Sequence, residues 1–336
     1  MPHSHHSHSG QFCRHAFGSL EEVVLEAIKQ RFEVYGLTEH VPRYRPEDLY
    51  PEERDLSLDD LSKQFLSFLN EAHRLKEVYA SQITLLVGLE TEYITDDDFS
   101  HLQKLLKDNE RRIDYIVGSV HHVSTIPIDF DRVTYEKALA NFSNEEGVYI
   151  LGNDQMEHFL SAYFDAQHQL IQQFQPEIIG HLDLCRLYTP SLDLRQYPIA
   201  WGKLIRNIEE ATRYGALFEI NAAAFKKEGW TSPYPGKDVV GLIQEKTGRF
   251  ALSDDSHGPR TVGQYYLDVA DYLVHVGITE LWYLDCSSEP NHNGRYISPR
   301  RIEDCRSLDR TCLNGSTMLL NPITECGGVR CFAVRK

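Results

Sequence analysis

Short apolar runs alternate with longer amphipathic segments along most of the chain. The runs have the length of buried strands and cover residues 34–38, 83–89, 115–120, 176–180, 216–218 and 249–252. The amphipathic segments carry apolar residues at helical spacing and cover residues 20–30, 58–80, 99–106, 156–174 and 199–214. Ser19 and Glu22 have the spacing of a capping box at the start of the first such segment. Strand and helix in alternation predict βα units and a parallel sheet.

A polar residue that can bind a metal follows each apolar run. These residues are Glu39 and His40, Glu90, His121 and His122, His181, Glu219, and the group Asp254, Asp255 and His257. The carboxyl ends of the strands of a (β/α) barrel carry its active site, because the βα loops converge there. A histidine with a purely structural role has no reason to prefer that end of successive strands. The pattern therefore predicts an active site at this face of a barrel.

Histidine is also concentrated at the N-terminus, where five residues fall within the first fifteen: His3, His5, His6, His8 and His15. Such a cluster is also typical of an affinity tag or a low-complexity tract. However, His6 and His8 have the spacing that places two imidazoles on one side of a strand. His3 and His5 have the same spacing, but a strand that begins at residue 3 leaves almost no chain before it. We therefore expect His6 and His8 to be the functional pair.

The composition of the chain indicates which classes of partner the protein can bind and in which cellular compartment it is expected. The chain has 336 residues, 41% of them hydrophobic, and a formal net charge of -16 at pH 7. This charge opposes binding to nucleic acid and to anionic membranes. There is no apolar run of membrane-spanning length and no hydrophobic signal segment, so we predict a cytoplasmic protein. The seven cysteines form no CxxC pair and are odd in number, as expected for a reduced intracellular protein.

Six motifs together resemble the PHP (polymerase and histidinol phosphatase) superfamily. In chain order they are HSHSGQFCRHA, LTEH, GLETEY, GSVHHV, GHLDL and SDDSHG, and the resemblance covers roughly residues 5–285. The segment PIDFD at 127–131 after GSVHHV is similar to the histidinol phosphatase branch, and most similar to its fungal members. The resemblance implies an α/β fold, a distorted (β/α)7 barrel of the TIM-like type. We expect that domain to span residues 1–287, followed by a C-terminal tail, 288–336, to which no role is assigned.

The resemblance also implies a site for three divalent metals. Zinc, iron and manganese all suit ligands of this chemistry. The first metal would be held by His6, His8, Glu90 and Asp255. The second would be held by Glu90, as a bridge, with His121 and His181. The third would be held by His15, His40 and His257. The family pattern Asp-x-His selects Asp255 over Asp254, and His122 is expected outside the ligand set.

The resemblance implies that the protein is a metal-dependent phosphomonoesterase. It would convert histidinol phosphate to histidinol and phosphate in histidine biosynthesis. A hydroxide held between two metals would attack phosphorus, with Glu90, Asp255 and His257 as the catalytic set. Three divalent ions and two carboxylates leave about four positive charges in the pocket, which would let an acidic protein bind an anionic substrate.

The sequence indicates the residues that would contact the substrate less clearly than it indicates the metal ligands. Arg43 and Arg186 follow predicted ligands and are candidates for a phosphate clamp, because a guanidinium offers planar paired donors. Asp129, Asp131 or Glu219 could pair with the substrate amine. Each of these residues also has an ordinary alternative, as a solvated loop side chain or as a carboxylate that fills the barrel.

Three other functions remain open at the level of sequence. A PHP enzyme could act on another small phosphate ester or as a nuclease, although the acidic balance and the absence of a basic patch oppose a nuclease. A metal-dependent amidohydrolase also places an HxH pair on its first strand, but Glu90 and the SVH motif fit that family poorly. A barrel that stores or senses metal would bind ions without catalysis. The sequence does not predict an oligomeric state.

Overall fold

A parallel barrel sheet organises the computed structural model, which describes residues 2–142 and 152–302. The strands along the chain are β1 (His3–Ser4), β2 (Ser7–His8), β3 (Val34–Leu37), β4 (Thr84–Glu90), β5 (Tyr115–Gly118), β6 (His122–Val123), β7 (Ile126–Pro127), β8 (Ile178–Ile179), β9 (Leu217–Asn221), β10 (Arg249–Ser253), β11 (Ser256–His257), β12 (Leu281–Cys286) and β13 (Ile297–Ile302). Seven strands form one sheet in the order β1-β3-β4-β5-β8-β9-β10, and all its pairs are parallel. The predicted parallel sheet is confirmed.

Helices connect most of these strands. They are α1 (Leu20–Lys29), α2 (Leu58–Val78), α3 (Asp96–Asp108), α4 (Arg132–Ala140), α5 (Gly152–Phe174), α6 (Pro198–Tyr214), α7 (Lys237–Glu245) and α8 (Tyr266–Val276). The capping box of Ser19 and Glu22 is confirmed at the start of α1. Helices α4, α7 and α8 were not predicted.

The sheet closes into a nearly complete barrel where the chain's first and last barrel strands meet. Strand β2 pairs in parallel with β11, so that Ser7 lies beside Ser256 and His8 beside His257. The hydroxyl of Ser4 also donates a hydrogen bond to Asp254 over 2.8 Å. This closure joins the N-terminal histidines to the SDDSHG motif, although they are about 250 residues apart in sequence.

Two apolar layers hold the barrel together. The larger lies between the sheet and the surrounding helices and includes Leu37, Leu85 and Leu89. The smaller fills the interior near the amino ends of the strands and includes Val34 and Leu86. Side chains of successive residues point to opposite faces of a strand, which explains why neighbours on β4 belong to different layers.

A C-terminal hairpin closes the end of the barrel opposite His6 and His8. Strands β12 and β13 pair antiparallel, and Leu284 and Ile297 join the interior apolar layer. The described hairpin therefore extends beyond residue 287, to Ile302, while the division of the chain into a barrel domain and a tail stays a prediction. Strand β13 follows the polar segment 287–296, and its sequence has too little apolar periodicity to predict a strand. The remainder of the predicted tail, residues 303–336, lies outside the described residues.

Two long loops lie above the carboxyl ends of the strands. Residues 41–57 contain two short 3₁₀ turns, Pro46–Asp48 and Pro51–Glu53. The long connection between β5 and α5 contains the hairpin of β6 and β7, continues into α4, and is described only as far as residue 142 before α5. Across the described ranges, no helix has the length and apolar content needed to cross a membrane.

Candidate active site

Glu90, the last residue of β4, lies at the centre of the histidine cluster. Its Oε2 atom is 3.1 Å from His6 Nε2 and 3.3 Å from His8 Nε2. Its Oε1 atom is 3.2 Å from His121 Nε2 and 3.0 Å from His181 Nε2. Each carboxylate oxygen thus faces a separate pair of imidazoles, as required of a carboxylate that bridges two metal ions.

Asp255 approaches the first imidazole pair from the opposite side. Its Oδ1 atom is 3.8 Å from His6 Nε2 and 3.7 Å from His8 Nε2, while Asn221 donates a hydrogen bond to its Oδ2 atom over 3.2 Å. Asp255 has a φ of 44°, in the left-handed region that most residues avoid. Such strain persists where the surrounding structure holds it, often at functional sites. Asp254 instead binds Ser4 and Tyr35 away from this cluster.

The third predicted group also comes together. The ring centroid of His15 is 5.5 Å from that of His40 and 5.1 Å from that of His257. His40 Nδ1 is also 3.1 Å from Glu90 Oε2, so this group adjoins the first one. The Cys13 Sγ atom lies 3.2 Å from His15 Nε2.

A second row of buried carboxylates holds the imidazoles from behind. Glu219 Oε1 is 2.9 Å from His6 Nδ1, and Glu39 Oε2 is 3.3 Å from His8 Nδ1. Glu92 Oε2 is 3.2 Å from His121 Nδ1. A carboxylate on Nδ1 fixes the ring orientation and leaves Nε2 free to bind a metal. These carboxylates therefore direct the three Nε2 atoms towards Glu90.

Burial and charge act in opposite directions on the protonation of the cluster. Burial lowers the pKa of the His8 imidazole, but the neighbouring carboxylates of Glu39 and Glu90 outweigh burial and raise that pKa to about 9. Burial lowers the pKa of His40 to about 3, so that ring is neutral at pH 7. Burial opposes the ionisation of Glu90, yet the imidazoles of His6 and His121 hold the pKa of its carboxyl well below the usual range. The carboxylate of Glu90 is therefore ionised.

These residues fit divalent metal ions. The Nε2 atoms of His6 and His8 are buried and accept or donate no hydrogen bond within the described ranges. Groups of possible ligand atoms lie within 4.8 Å of one another, including the triads His6, His8 and Glu90, and His8, Asp255 and His257. Unpaired buried nitrogens are costly unless a ligand satisfies them. Mixed imidazole and carboxylate donors suit zinc, iron and manganese.

A cavity of about 360 Å³ opens above this cluster. All predicted ligands except His6, which lies beneath, contribute to its lining. Its upper walls come from loops and contain Tyr50, Glu52, Phe130, Lys227 and Tyr234, among others. The volume is sufficient for a small organic ester.

Several residues predicted to contact a substrate are placed elsewhere. Neither Arg43 nor Arg186 is among the described residues that line the cavity. Arg43 is buried against Glu53, and its guanidinium lies 4.4 Å from the centre of the Tyr50 ring.

Arg186 Nη2 donates hydrogen bonds to Asp183 over 2.6 Å and to Asp238 over 2.7 Å. Both arginines thus have carboxylate partners that already fix them. Glu219 is also absent from the cavity lining, since it lies behind His6. The predicted phosphate clamp and the predicted amine contact of Glu219 are therefore not supported by this geometry.

The aspartates of the PIDFD segment differ from each other. Both Asp129 and Asp131 line the cavity. The Oδ1 atom of Asp129 is buried and has no hydrogen-bond partner in the described part of the chain. Asp131 caps α4 by accepting a hydrogen bond from the backbone of Thr134 over 2.7 Å. Asp129 is therefore the aspartate with an oxygen available to a ligand.

The alternative histidine pair, His3 and His5, has a different position from His6 and His8. His3 Nε2 accepts a hydrogen bond from the Leu252 backbone over 2.9 Å, and His5 Nε2 accepts one from Leu284 in β12 over 3.0 Å. Both rings therefore face the interior of the barrel, towards the C-terminal hairpin. His122 is buried next to the cluster, with Nδ1 3.7 Å from Glu92 Oε2.

Sequence reasoning missed Glu39 and Glu92 as partners of the imidazoles. Both were visible, since they stand beside predicted ligands in the motifs LTEH and GLETEY. A carboxylate two residues after Glu90 returns to the same side of an extended chain, and this spacing was the available signal.

We expect Glu219→Gln to weaken metal binding about 10- to 100-fold, because an amide holds the His6 ring less firmly than a carboxylate does. The affinity can be measured by titration of the metal-free protein with Zn²⁺ against a competing chelator. The matched control is Glu177→Gln, because Glu177 is also a buried glutamate but pairs with Arg295 away from the site. Equal metal affinity in Glu219→Gln and the original protein would contradict the orienting role.

Comparison with known proteins identifies related sequences. The model of the family described as PHP domain matches residues 4–223. A protein of Schizosaccharomyces pombe named “Probable histidinol-phosphatase” is 44% identical over 308 residues, which cover 90% of this chain and 95% of that protein. The histidinol-phosphatase of Saccharomyces cerevisiae is 33% identical over 324 residues, which cover 86% of this chain and 93% of that protein.

A solved structure shares the fold. It is the histidinol phosphate phosphatase of Lactococcus lactis subsp. lactis, complexed with zinc, L-histidinol and phosphate. The TM-score is 0.59 at 18% sequence identity, and the match covers 88% of this chain and 98% of that chain. The two proteins therefore have the same barrel architecture despite low identity, in agreement with the (β/α)7 barrel expected from the sequence.

Proposed function

The chain belongs to the PHP domain family, and on that premise we propose that it hydrolyses L-histidinol phosphate to L-histidinol and phosphate in histidine biosynthesis. The observation that carries the proposal is the position of Glu90 between two pairs of imidazoles on the floor of a substrate-sized cavity. The two fungal relatives are named as histidinol-phosphatases, and they match almost the full length of this barrel. This function would place the protein in the cytoplasm, where it was predicted from the sequence.

Three divalent ions form part of the proposal. The first would be held by His6, His8, Glu90 and Asp255, the second by Glu90, His121 and His181, and the third by His15, His40 and His257. Bound there, zinc, iron or manganese would neutralise charge on the phosphoryl oxygens and acidify a water molecule. The zinc in the Lactococcus lactis structure supports this choice of metals.

The chain's own residues prepare the site for an in-line displacement at phosphorus. Glu90 presents one oxygen to each half of the cluster, and Asp255 and His257 complete the opposite side. Glu39, Glu92 and Glu219 hold the rings so that little reorganisation is needed during the reaction. The chemistry requires no serine or cysteine nucleophile.

The amine of the substrate is assigned to Asp129. Its unpartnered Oδ1 atom is buried in the cavity wall, and an ammonium group would satisfy it with a charge-assisted hydrogen bond. Tyr50 and Phe130 stand beside it with their ring centres 4.8 Å apart in an edge-to-face arrangement. Flat aromatic walls of this kind suit the imidazole ring of histidinol.

We expect Asp129→Asn to lower kcat/KM for L-histidinol phosphate about tenfold or more, mainly through KM, because a charged hydrogen bond is lost. Hydrolysis of p-nitrophenyl phosphate, which has no amine, should change little. The control is Asp131→Asn, because asparagine also caps a helix well and Asp131 already has a partner. An equal loss on both substrates in Asp129→Asn would exclude recognition of the amine.

A strong preference of the unmodified protein for esters without an amine would favour the alternative, hydrolysis of another small phosphate ester. Membership of the PHP domain family itself opposes the amidohydrolase alternative.

A further inference from the structure

The cavity contains one basic side chain besides histidine in the described part of the chain, and it belongs to Lys227. The sequence had directed attention to Arg43 and Arg186, but both bind buried carboxylates outside the cavity. For Lys227 the described ranges offer no carboxylate within ion-pair distance, and its side chain is exposed at the rim. The ammonium group is therefore available to a ligand.

The loop that carries Lys227 is firmly attached to the barrel. It leaves β9 at Asn221 and returns at Tyr234, and these two residues exchange backbone hydrogen bonds of 2.8 and 3.1 Å. The Trp230 backbone donates to the Lys227 carbonyl over 3.2 Å, and the Trp230 indole donates to the Leu187 carbonyl over 2.9 Å. The backbone of Lys227 thus has a fixed place at the rim, while its long side chain can follow a ligand.

The charges around the cavity are separated by the topology of the barrel. Lys227 follows β9, the sixth strand of the sheet order. The acidic residues that line the upper wall, Glu52, Asp129 and Asp131, follow β3 and β5, the second and fourth strands. Basic and acidic groups therefore stand on different sides of the opening above the histidine cluster.

From this arrangement we infer that Lys227 binds the phosphate group of the substrate. A phosphate monoester carries about -1.5 to -2 charges at pH 7 and three strong acceptor oxygens. An ammonium offers three donors that can adjust to them. The inference rests on the proposed function for its substrate but concerns a residue outside the predicted ligand and catalytic sets.

Lys227 also fixes the direction in which the substrate enters. With phosphate towards Lys227 and the amine towards Asp129, both ends meet an opposite charge. The reversed pose would place the amine beside Lys227 and phosphate beside Asp129, so two repulsive contacts would oppose it. Lys227 and Asp129 together would therefore select esters with a cationic alcohol portion and orient them productively.

The test uses the two products as separate probes of the two ends. Inorganic phosphate and L-histidinol are each titrated calorimetrically into the metal-loaded, full-length chain. Lys227→Met should raise the Kd of phosphate about tenfold, as expected for the loss of a charged hydrogen bond. The Kd of L-histidinol should stay within about twofold, because that product occupies the acidic side. Lys227→Arg should keep phosphate binding near the original value.

Lys107→Met is the matched control, since Lys107 is an exposed lysine on α3 and its loss changes the net charge equally. An unchanged phosphate Kd in Lys227→Met would overturn the inference. So would an equal rise for both products, or an equal shift in Lys107→Met, because these results would indicate a general disturbance or a long-range charge effect. The titrations need no turnover. A metal-loaded protein that releases no phosphate from L-histidinol phosphate would overturn the proposed function, while the phosphate titrations still decide the role of Lys227.

Discussion

Glu90→Gln is expected to lower kcat for histidinol phosphate by more than about a hundredfold. Removal of one oxyanion-hole donor lowers kcat by a similar factor in other enzymes. The reason is geometric. Both oxygens of Glu90 are in use, each 3.0–3.3 Å from the Nε2 atoms of two imidazoles. A neutral amide has one oxygen and one amino group, so it can supply a ligand to only one half of the cluster.

The same substitution should reduce the metal content of the protein. Removal of the central negative charge takes away a carboxylate ligand and the Coulomb attraction that offsets the repulsion between neighbouring cations. We expect fewer ions per chain after dialysis against metal, as measured by elemental analysis, with the circular dichroism spectrum preserved. Glu77→Gln, an exposed change on α2, is the matched control and should retain both activity and metal. A Glu90→Gln protein with full activity would remove Glu90 from the site.

The sequence predicted the barrel and the meeting of its histidines because both depend on local patterns. Apolar runs such as residues 83–89 ended in a polar residue, and parallel strands in a barrel bring such ends to one face. The pairing of β2 with β11 then placed His8 beside His257. In these cases the side chain's place follows from its position at a strand end.

Side chains on loops could not be placed in the same way. Arg43 and Arg186 were predicted to face phosphate because they follow predicted ligands in sequence. Their direction is decided by distant partners, Glu53 for the first and Asp238 for the second, which the local sequence does not reveal. Lys227 had no motif to mark it, and only the return of its loop at Tyr234 places it on the rim.

The C-terminal hairpin shows a second limit. Strand β13 lies at Ile297–Ile302, and its sequence ISPRRI carries a proline and two adjacent arginines. Such a composition predicts no buried strand, because central strands avoid proline and buried charge. The strand forms because β12 provides a partner and Ile297 reaches the interior of the barrel. Tertiary contact here outweighs local propensity.

Metal removal is expected to have the other large effect. Without ions, the cavity floor presents the ionised carboxylate of Glu90, and no divalent cation is there to neutralise the oxygens of a phosphate ester or to acidify a water molecule. Each tenfold loss of rate corresponds to about 1.4 kcal/mol, and the contribution of metals to phosphoryl transfer amounts to several kcal/mol. We therefore expect the metal-free protein to be almost inactive while its barrel remains folded.

The most direct test of the account is phosphate release from L-histidinol phosphate by the full-length chain before chelation, after chelation, and after addition of Zn²⁺, Mn²⁺ or Fe²⁺. The account predicts rapid release that chelation abolishes and one of these metals restores, with about three ions bound per chain. Full activity in the metal-free protein would contradict the metal centre. A fully metallated protein that releases no phosphate from L-histidinol phosphate would contradict the proposed function.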